Sequence, residues 1–177
     1  MLNLLMKNYN IKQLTKKSVY SISKNQDESL IFVKSNSYMN ESVKSWQKFE
    51  KDERVKGSLI LILYDDFESN LGTVKLSKFK KNESHNGIKN LIASELKDLN
   101  CYKLGIGIGP KPSNATRETM ASWVLSSFNL DQIKSIHEDV LELLIFYVQN
   151  IVESEGITDT NKFNARMTKL WISRNEN

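Results

Sequence analysis

Ser58-Leu59-Ile60-Leu61-Ile62-Leu63-Tyr64-Asp65-Asp66 and, further on, Leu104-Gly105-Ile106-Gly107-Ile108-Gly109-Pro110 are the stretches that decide how this chain folds. Each is an apolar run of strand length, β-branched or aliphatic, closed by turn or acidic residues. Between them lie a lysine-rich segment, His85-Asn86-Gly87, and the helical pattern Gly87 to Ala93. Two buried strands with a helix between them predict an α/β sheet, and in such sheets ligands bind where strands end. Asp65 and Asp66 are expected to end the strand 58–64, so the candidate site lies there. The start of the helix at Gly87 offers unpaired N–H groups and a partial positive charge, a seat for an anion. The Gly-Ile-Gly-Ile-Gly spacing is not the dinucleotide fingerprint, and no helix opens directly after it, which excludes nicotinamide-dinucleotide binding.

Outward from this centre, Glu68 to Gly72 reads as a turn and Thr73 to Lys78 as an alternating strand. Towards the N-terminus, Leu2, Leu5, Met6 and Tyr9 fall at helical spacing. Ser18 to Ile22 and Leu30 to Val33 read as strands joined by a turn at Asn25-Gln26-Asp27. A polar segment, Ser35 to Ser42, then runs into a helix with Val43, Trp46 and Phe49 on one face, and Asn40 is placed to cap it. Towards the C-terminus, Lys111 to Arg117 is a loop and Met120 to Leu125 a short packing segment. From Asp131 a long amphipathic helix carries Ile133, Ile136, Val140, Leu143, Leu144, Tyr147 and Ile151 in one stripe, with His137 at its edge. Residues 158–172 suggest a last helix with Phe163, Met167, Leu170 and Trp171 apolar.

The chain has 177 residues, 40% hydrophobic and 26% charged, which suits one domain with a proper core. A net charge of +4 permits a polyanionic partner without requiring one. Five lysines between positions 75 and 89 face one acid, Glu83; the run can hold phosphates or serve as a solvated face. The single cysteine, Cys101, excludes an internal disulfide framework and reads as a core thiol. No apolar run approaches the roughly 20 residues a membrane span needs, and no metal-ligand cluster is present. Residues 1–24 lack acids, as a mitochondrial presequence does, but also lack arginine.

Five segments in register resemble the bacterial-type peptidyl-tRNA hydrolases, a family that also occurs in organelles. Tyr38-Met39-Asn40-Glu41-Ser42 is similar to the family's [TF]-[YF]-M-N-x-S. Tyr64 to Glu68 with Leu71-Gly72 is similar to H-D-[DE]-L-D-x-x-x-G, and His85 to Lys89 to H-N-G-[LI]-[KR]. Leu104 to Gly109 is similar to L-R-I-G-I-G, and Trp123 to Phe128 to Y-V-L-x-x-F. The resemblance implies a three-layer α/β/α fold: a central mixed, mostly parallel twisted sheet flanked by helices, in one domain over residues 1–177.

It also implies hydrolysis of the ester between a peptide and the 3′ end of tRNA, by a histidine that activates water and an aspartate that holds it, without metal or cofactor. Asp65 matches that aspartate; Asn40 and Asn86 match the substrate-binding amides, with Tyr38 lining the groove and His85 shaping the adjoining loop. Lys75, Lys78, Lys80, Lys81 and Lys103 would face tRNA phosphates. The expected partner is peptidyl-tRNA or tRNA, no membrane is expected, and the expected state is a monomer in mitochondria or, alternatively, in the cytoplasm. Several positions depart from the family. Its catalytic histidine belongs to a strand-and-loop segment, G-L-x-N-P-G…T-R-H-N, ahead of the first helix, and this sequence starts in that helix. His85 and His137 match neither position, and the first strand is missing with the segment. Asn82 and Ser84 stand where glycines precede H-N-G, and Gly105 where a basic residue is usual. Two readings follow: a hydrolase whose sequence here is a fragment or carries a misplaced start, or an inactive tRNA- or peptidyl-tRNA-binding protein.

Overall fold

The computed structural model describes residues 1–53, 55, 57–94, 96, 100–154 and 156–176. The chain forms two compact units: Met1–Leu61 with Lys78–Tyr102, and Ile62–Ser77 with Lys103–Asn177. Both combine helices with a three-stranded sheet, so the class is α/β as the sequence indicates.

The first unit opens with helix α1 (Leu2–Asn8), which buries Leu5 and Met6. Strands β1 (Thr15–Lys16), β2 (Tyr20–Lys24) and β3 (Ile31–Ser35) then form an antiparallel meander in the order β1-β2-β3, with Ile22 opposite Val33. Asn25 closes the β2–β3 loop in place: its backbone N–H donates to the Leu30 carbonyl and its side chain accepts from the Leu30 N–H. Helix α2 (Ser42–Asp52) packs on this sheet through Trp46 and Phe49, whose rings lie 5.8 Å apart. Ser45, also buried, donates to the Val19 carbonyl at 2.6 Å and bonds the hydroxyls of Ser35 and Ser37. The buried Tyr20 hydroxyl reaches Asp52 at 2.9 Å. Burial, reinforced by that carboxylate, pushes Tyr20 up to about 12.

The second unit is built on β4 (Ile60–Asn70), β5 (Val74–Ser77) and β6 (Cys101–Gly109), ordered β4-β6-β5. β5 and β6 are antiparallel, Val74 opposite Ile106 and Ser77 opposite Lys103. β4 is longer than its apolar run predicts: it continues through Asp65, Asp66 and Glu68 to Asn70. The acids therefore lie within the strand and do not end it, because strand pairing satisfies the backbone whichever side chains it carries. The turn shrinks to Leu71–Thr73, where Gly72 adopts φ +91° and Thr73 bonds the Asn70 carbonyl through both N–H and hydroxyl.

The Thr73 carbonyl accepts from the Gly107 N–H, so in this antiparallel register the N–H and C=O of Leu76 point away from β6. Helix α7 (Thr160–Asn175) covers that edge. Its Asn164 amide accepts from the Leu76 N–H at 2.9 Å and donates to the Leu76 carbonyl at 2.8 Å. One side chain thus does what another strand would do.

The remaining helices are α4 (Arg117–Val124), α5 (Leu130–Ser135) and α6 (Leu141–Val152). Asn129 and Gln132 form a reciprocal capping box at the start of α5. The segment Ile136–Val140 is π-helical, and its wider turn shifts the helical phase. The single stripe expected from Asp131 onward is broken there: Val140, Leu144, Tyr147 and Ile151 are buried, while Ile133 is 42% exposed. Met120 to Leu125 does not pack as a unit either, since Leu125 is 85% exposed. α7 runs three residues past its expected end and buries Phe163 and Met167, but leaves Leu170 40% exposed. Among the described residues no helix is long and apolar enough to cross a membrane.

Two outcomes follow. Asn164→Leu removes both partners of Leu76 and should cost about 1–3 kcal/mol in urea unfolding; an unchanged midpoint would make the clasp dispensable. Burial pushes the Cys101 thiol up to about 12, so a thiol reagent at neutral pH should modify it only as fast as the chain opens.

Candidate functional site

In the first unit the segment 38–41 is a tight turn. Residues Met39–Glu41 form one turn of 3-10 helix, closed by the Glu41 N–H on the Tyr38 carbonyl and by the Ser42 hydroxyl on Met39 at 2.7 Å. Tyr38 is 81% exposed, and Asn40 is exposed beside it. Asn40 is not the cap of α2 as its position suggests, because it belongs to the 3-10 turn. The residue preceding α2 is Glu41, whose side chain caps nothing. The orphan N–H of Val43 instead donates to Asn90 Oδ1 at 2.8 Å, from 47 residues away.

Asn90 lies on α3 (Asn86–Ile92), which begins at Asn86, one residue before its predicted start. His85 is its cap: the ring is buried and Nδ1 accepts from the Ile88 N–H at 3.2 Å. The anion seat expected at this helix start therefore has one of its donors already committed. Gly87 is what lets the two segments meet. A Cβ there would lie 2.8 Å from Met39 Cγ and 3.0 Å from His85 Cε1. The turn bearing Asn40 thus packs on the helix start bearing the exposed Asn86, so the segments carrying two of the predicted substrate amides adjoin in one unit.

The lysine loop is more ordered than its charge suggests. Glu83 is buried and accepts from the Lys80 N–H at 2.7 Å, pinning the backbone while Lys78, Lys80 and Lys81 stay exposed. Lys78 Nζ stands 5.7 Å from the centre of the Tyr102 ring. In the second unit Lys75 is exposed, but Lys103 is only 2% exposed, its ammonium 5.3 Å from the centre of the Tyr64 ring. Lys103 is thereby removed from the phosphate-facing set: its stem is buried in β6 and its charge lies against an aromatic face.

Asp65 is half-buried in β4 and belongs to this second unit, whereas Asn40 and Asn86 belong to the first. Its neighbour Asp66 is structural, accepting from the Ser69 hydroxyl at 2.7 Å and the Glu68 N–H at 3.1 Å. Gly105 now has a reason to be glycine: a Cβ there would lie 2.9 Å from the Tyr64 hydroxyl and 3.1 Å from the Asp66 side chain. His137 is exposed in the π-helical segment. Among the described residues no group of three His, Cys, Asp or Glu could hold a metal.

Comparison with known proteins bears on this arrangement. Residues 1–170 match the family model described as peptidyl-tRNA hydrolase. The chain belongs to the peptidyl-tRNA hydrolase family. A peptidyl-tRNA hydrolase of Lactobacillus johnsonii is 37% identical over 107 residues, 60% of this chain and 55% of that protein. A probable peptidyl-tRNA hydrolase of Schizosaccharomyces pombe is 32% identical over 130 residues, 70% of this chain and 62% of that one. The crystal structure of peptidyl-tRNA hydrolase from Acinetobacter baumannii superposes with a TM-score of 0.71 at 22% identity, over 86% of this chain and 76% of that one. This likeness shows that the fold is shared. The chain thus spans less than two thirds of the length of the first two relatives.

Asn90 is the residue that motif reading passes over. An asparagine inside a helix is a weak helix former, and such residues often bond backbone elsewhere; that signal was present at position 90. Gly87→Ala should separate the 38–41 turn from α3 and cost about 1–3 kcal/mol, as overpacking does. Chemical denaturation measures the cost, and a fully stable Gly87→Ala chain would refute the close packing.

Proposed function

We propose that this protein acts on peptidyl-tRNA, hydrolysing the ester between the peptide and the terminal ribose. The supporting observation is that the exposed Asn40 and Asn86 lie on two segments that pack together at Met39 and Gly87, in a chain that belongs to this family. A carboxamide offers two donors and an acceptor without charge. Two such groups, with the exposed Tyr38 ring beside them, suit the alternating N–H and C=O of a peptide backbone. The exposed cations of Lys75, Lys78, Lys80 and Lys81 suit the phosphates of the attached tRNA.

In the reaction, the oxygen of water bonds to the ester carbonyl carbon and the bond to the ribose oxygen breaks. An imidazole takes the proton from water and returns one to the leaving oxygen. The role proposed for Asp65 is to hold that imidazole and favour its charged form. His85 is a poor candidate for the imidazole, since its ring is buried and Nδ1 already accepts a backbone N–H. With the family's histidine-bearing segment joined to this chain, Asp65→Ala should slow cleavage of N-blocked aminoacyl-tRNA by about 10²-fold or more. A normal rate in that variant would remove Asp65 from the mechanism.

Binding should follow the polyelectrolyte rule. The logarithm of affinity should fall linearly with the logarithm of salt, by about 0.9 per phosphate contacted. Replacing Lys78, Lys80 and Lys81 together by alanine should flatten that slope by up to about 3 and weaken all tRNAs alike. A slope unchanged in the triple variant would place the tRNA elsewhere. We further propose a monomer acting in mitochondria, since the family the chain belongs to also occurs in organelles. Sedimentation and cell fractionation are the corresponding tests; a stable dimer or a purely cytosolic protein would refute each part.

A further inference from the structure

The unusual element of the first unit is where α2 finds its cap. Glu41 precedes the helix and its side chain does not turn back to bond it. The Val43 N–H is instead held by Asn90 Oδ1 at 2.8 Å, from the second turn of α3. At the start of that same helix, Gly87 meets Met39, the residue before Asn40. Two attachments therefore join the segment 38–43 to α3, one on each side of Asn40: a van der Waals contact at Met39 and a hydrogen bond at Val43. The Ser42 hydroxyl on the Met39 carbonyl closes the span between them. His85, capping α3 through Ile88, keeps the first turn that presents Asn86 in place.

We propose that Asn90 is a positioning residue that sets the spacing of Asn40 and Asn86, and so the fit of the acyl-linked peptide. The inference rests on the proposed role of those two amides. Asn90 itself need touch no substrate; its single side-chain oxygen accepts from the Val43 N–H. The bond matters because a contact between a flexible methionine and a glycine can slide, whereas a directional bond of 2.8 Å fixes register. Without it the 3-10 turn keeps its own closure but is free to shift along α3. The amide of Asn40 then no longer lies at a fixed distance from that of Asn86. The lysines that would face tRNA are not attached through this bond, so their contribution should survive its loss.

Two measurements on the whole chain decide it. The first needs no ligand. In wild type, a nuclear Overhauser contact between the Met39 methyl and the Gly87 α-protons is expected; it should vanish in Asn90→Ala and persist in Asn90→Asp, which keeps the accepting oxygen. A contact retained in Asn90→Ala overturns the proposal whatever the protein binds. The second is the ratio of affinities for N-acetylated aminoacyl-tRNA and uncharged tRNA. Asn90→Ala should bring that ratio to within about twofold of one while uncharged tRNA binds as in wild type, and Asn90→Asp should restore it. Equal loss for both tRNAs would make Asn90 merely structural, and failure of Asn90→Asp to restore the ratio would equally sink the idea. Wild-type protein that binds neither tRNA would refute the proposed function, while the first measurement still judges the positioning.

Discussion

A backbone N–H that its own element cannot satisfy must find a partner elsewhere, and in both units of this protein that partner is an asparagine far along the chain. Val43, in the first turn of α2, is held by Asn90; Leu76, on the outer edge of β5, is held by Asn164. The second case is the more demanding, since Asn164 satisfies a donor and an acceptor at once and its amide also donates to the Thr160 carbonyl of its own helix. An edge strand left open invites pairing with other chains, and a helix carrying a carboxamide at the right height closes one position of it. The cost of failing to pair a buried amide is larger than the gain from pairing an exposed one. These clasps therefore matter more as constraints on geometry than as added stability.

Glycine supplies the second constraint, by absence of a side chain. Along β6, Gly105 makes room for Tyr64 and Asp66, and Gly107 lies so close to the β4–β5 turn that a Cβ would sit 2.0 Å from the Asn70 carbonyl oxygen. Gly109 meets the Phe67 carbonyl at 2.7 Å in the same sense. The alternating glycines thus form one face of a strand against which β4 and its turn are drawn close. This accounts for a spacing that resembles a phosphate-binding loop in composition while working as a packing device. A basic residue at position 105 would need Tyr64 to move, and the tyrosine is itself engaged with Lys103.

Much of this was legible in the sequence, and the failures are physical in kind. The apolar run closing at Gly109 ends where β6 ends, and α2 and α3 fall within a residue of where periodicity and turn residues place them. Boundaries went wrong where backbone pairing overrides side-chain chemistry, as in β4, whose acids are tolerated inside a ladder. Phase was lost at residues 136–140, because a π-helical turn has no compositional mark. At the site, the amides at 40 and 86 stand out by motif; of the two roles open to Asn40, cap or functional amide, the structure removes the cap, because Asn90 bonds the Val43 N–H from 47 residues away. Lys103, placed among the phosphate-facing lysines by the resemblance alone, is buried with its ammonium against the Tyr64 ring, which no motif reveals.

The distribution of charge then separates two kinds of recognition. The side chains at residues 40 and 86 are neutral carboxamides, whose bonds are directional and little affected by dissolved ions. The exposed lysines at 78, 80 and 81 are point charges on flexible stems, whose attraction to phosphate is long-ranged and weakened by salt. The one acid among them, Glu83, is turned inward to hold the loop backbone, so the lysines and not the carboxylate present donors at the surface. Under the function proposed above, capture of a nucleic acid and reading of an acyl group would rest on different physics within one unit. On that proposal affinity would follow ionic strength, while selectivity for the peptide-bearing form would follow the geometry that the Asn90 bond to Val43 constrains.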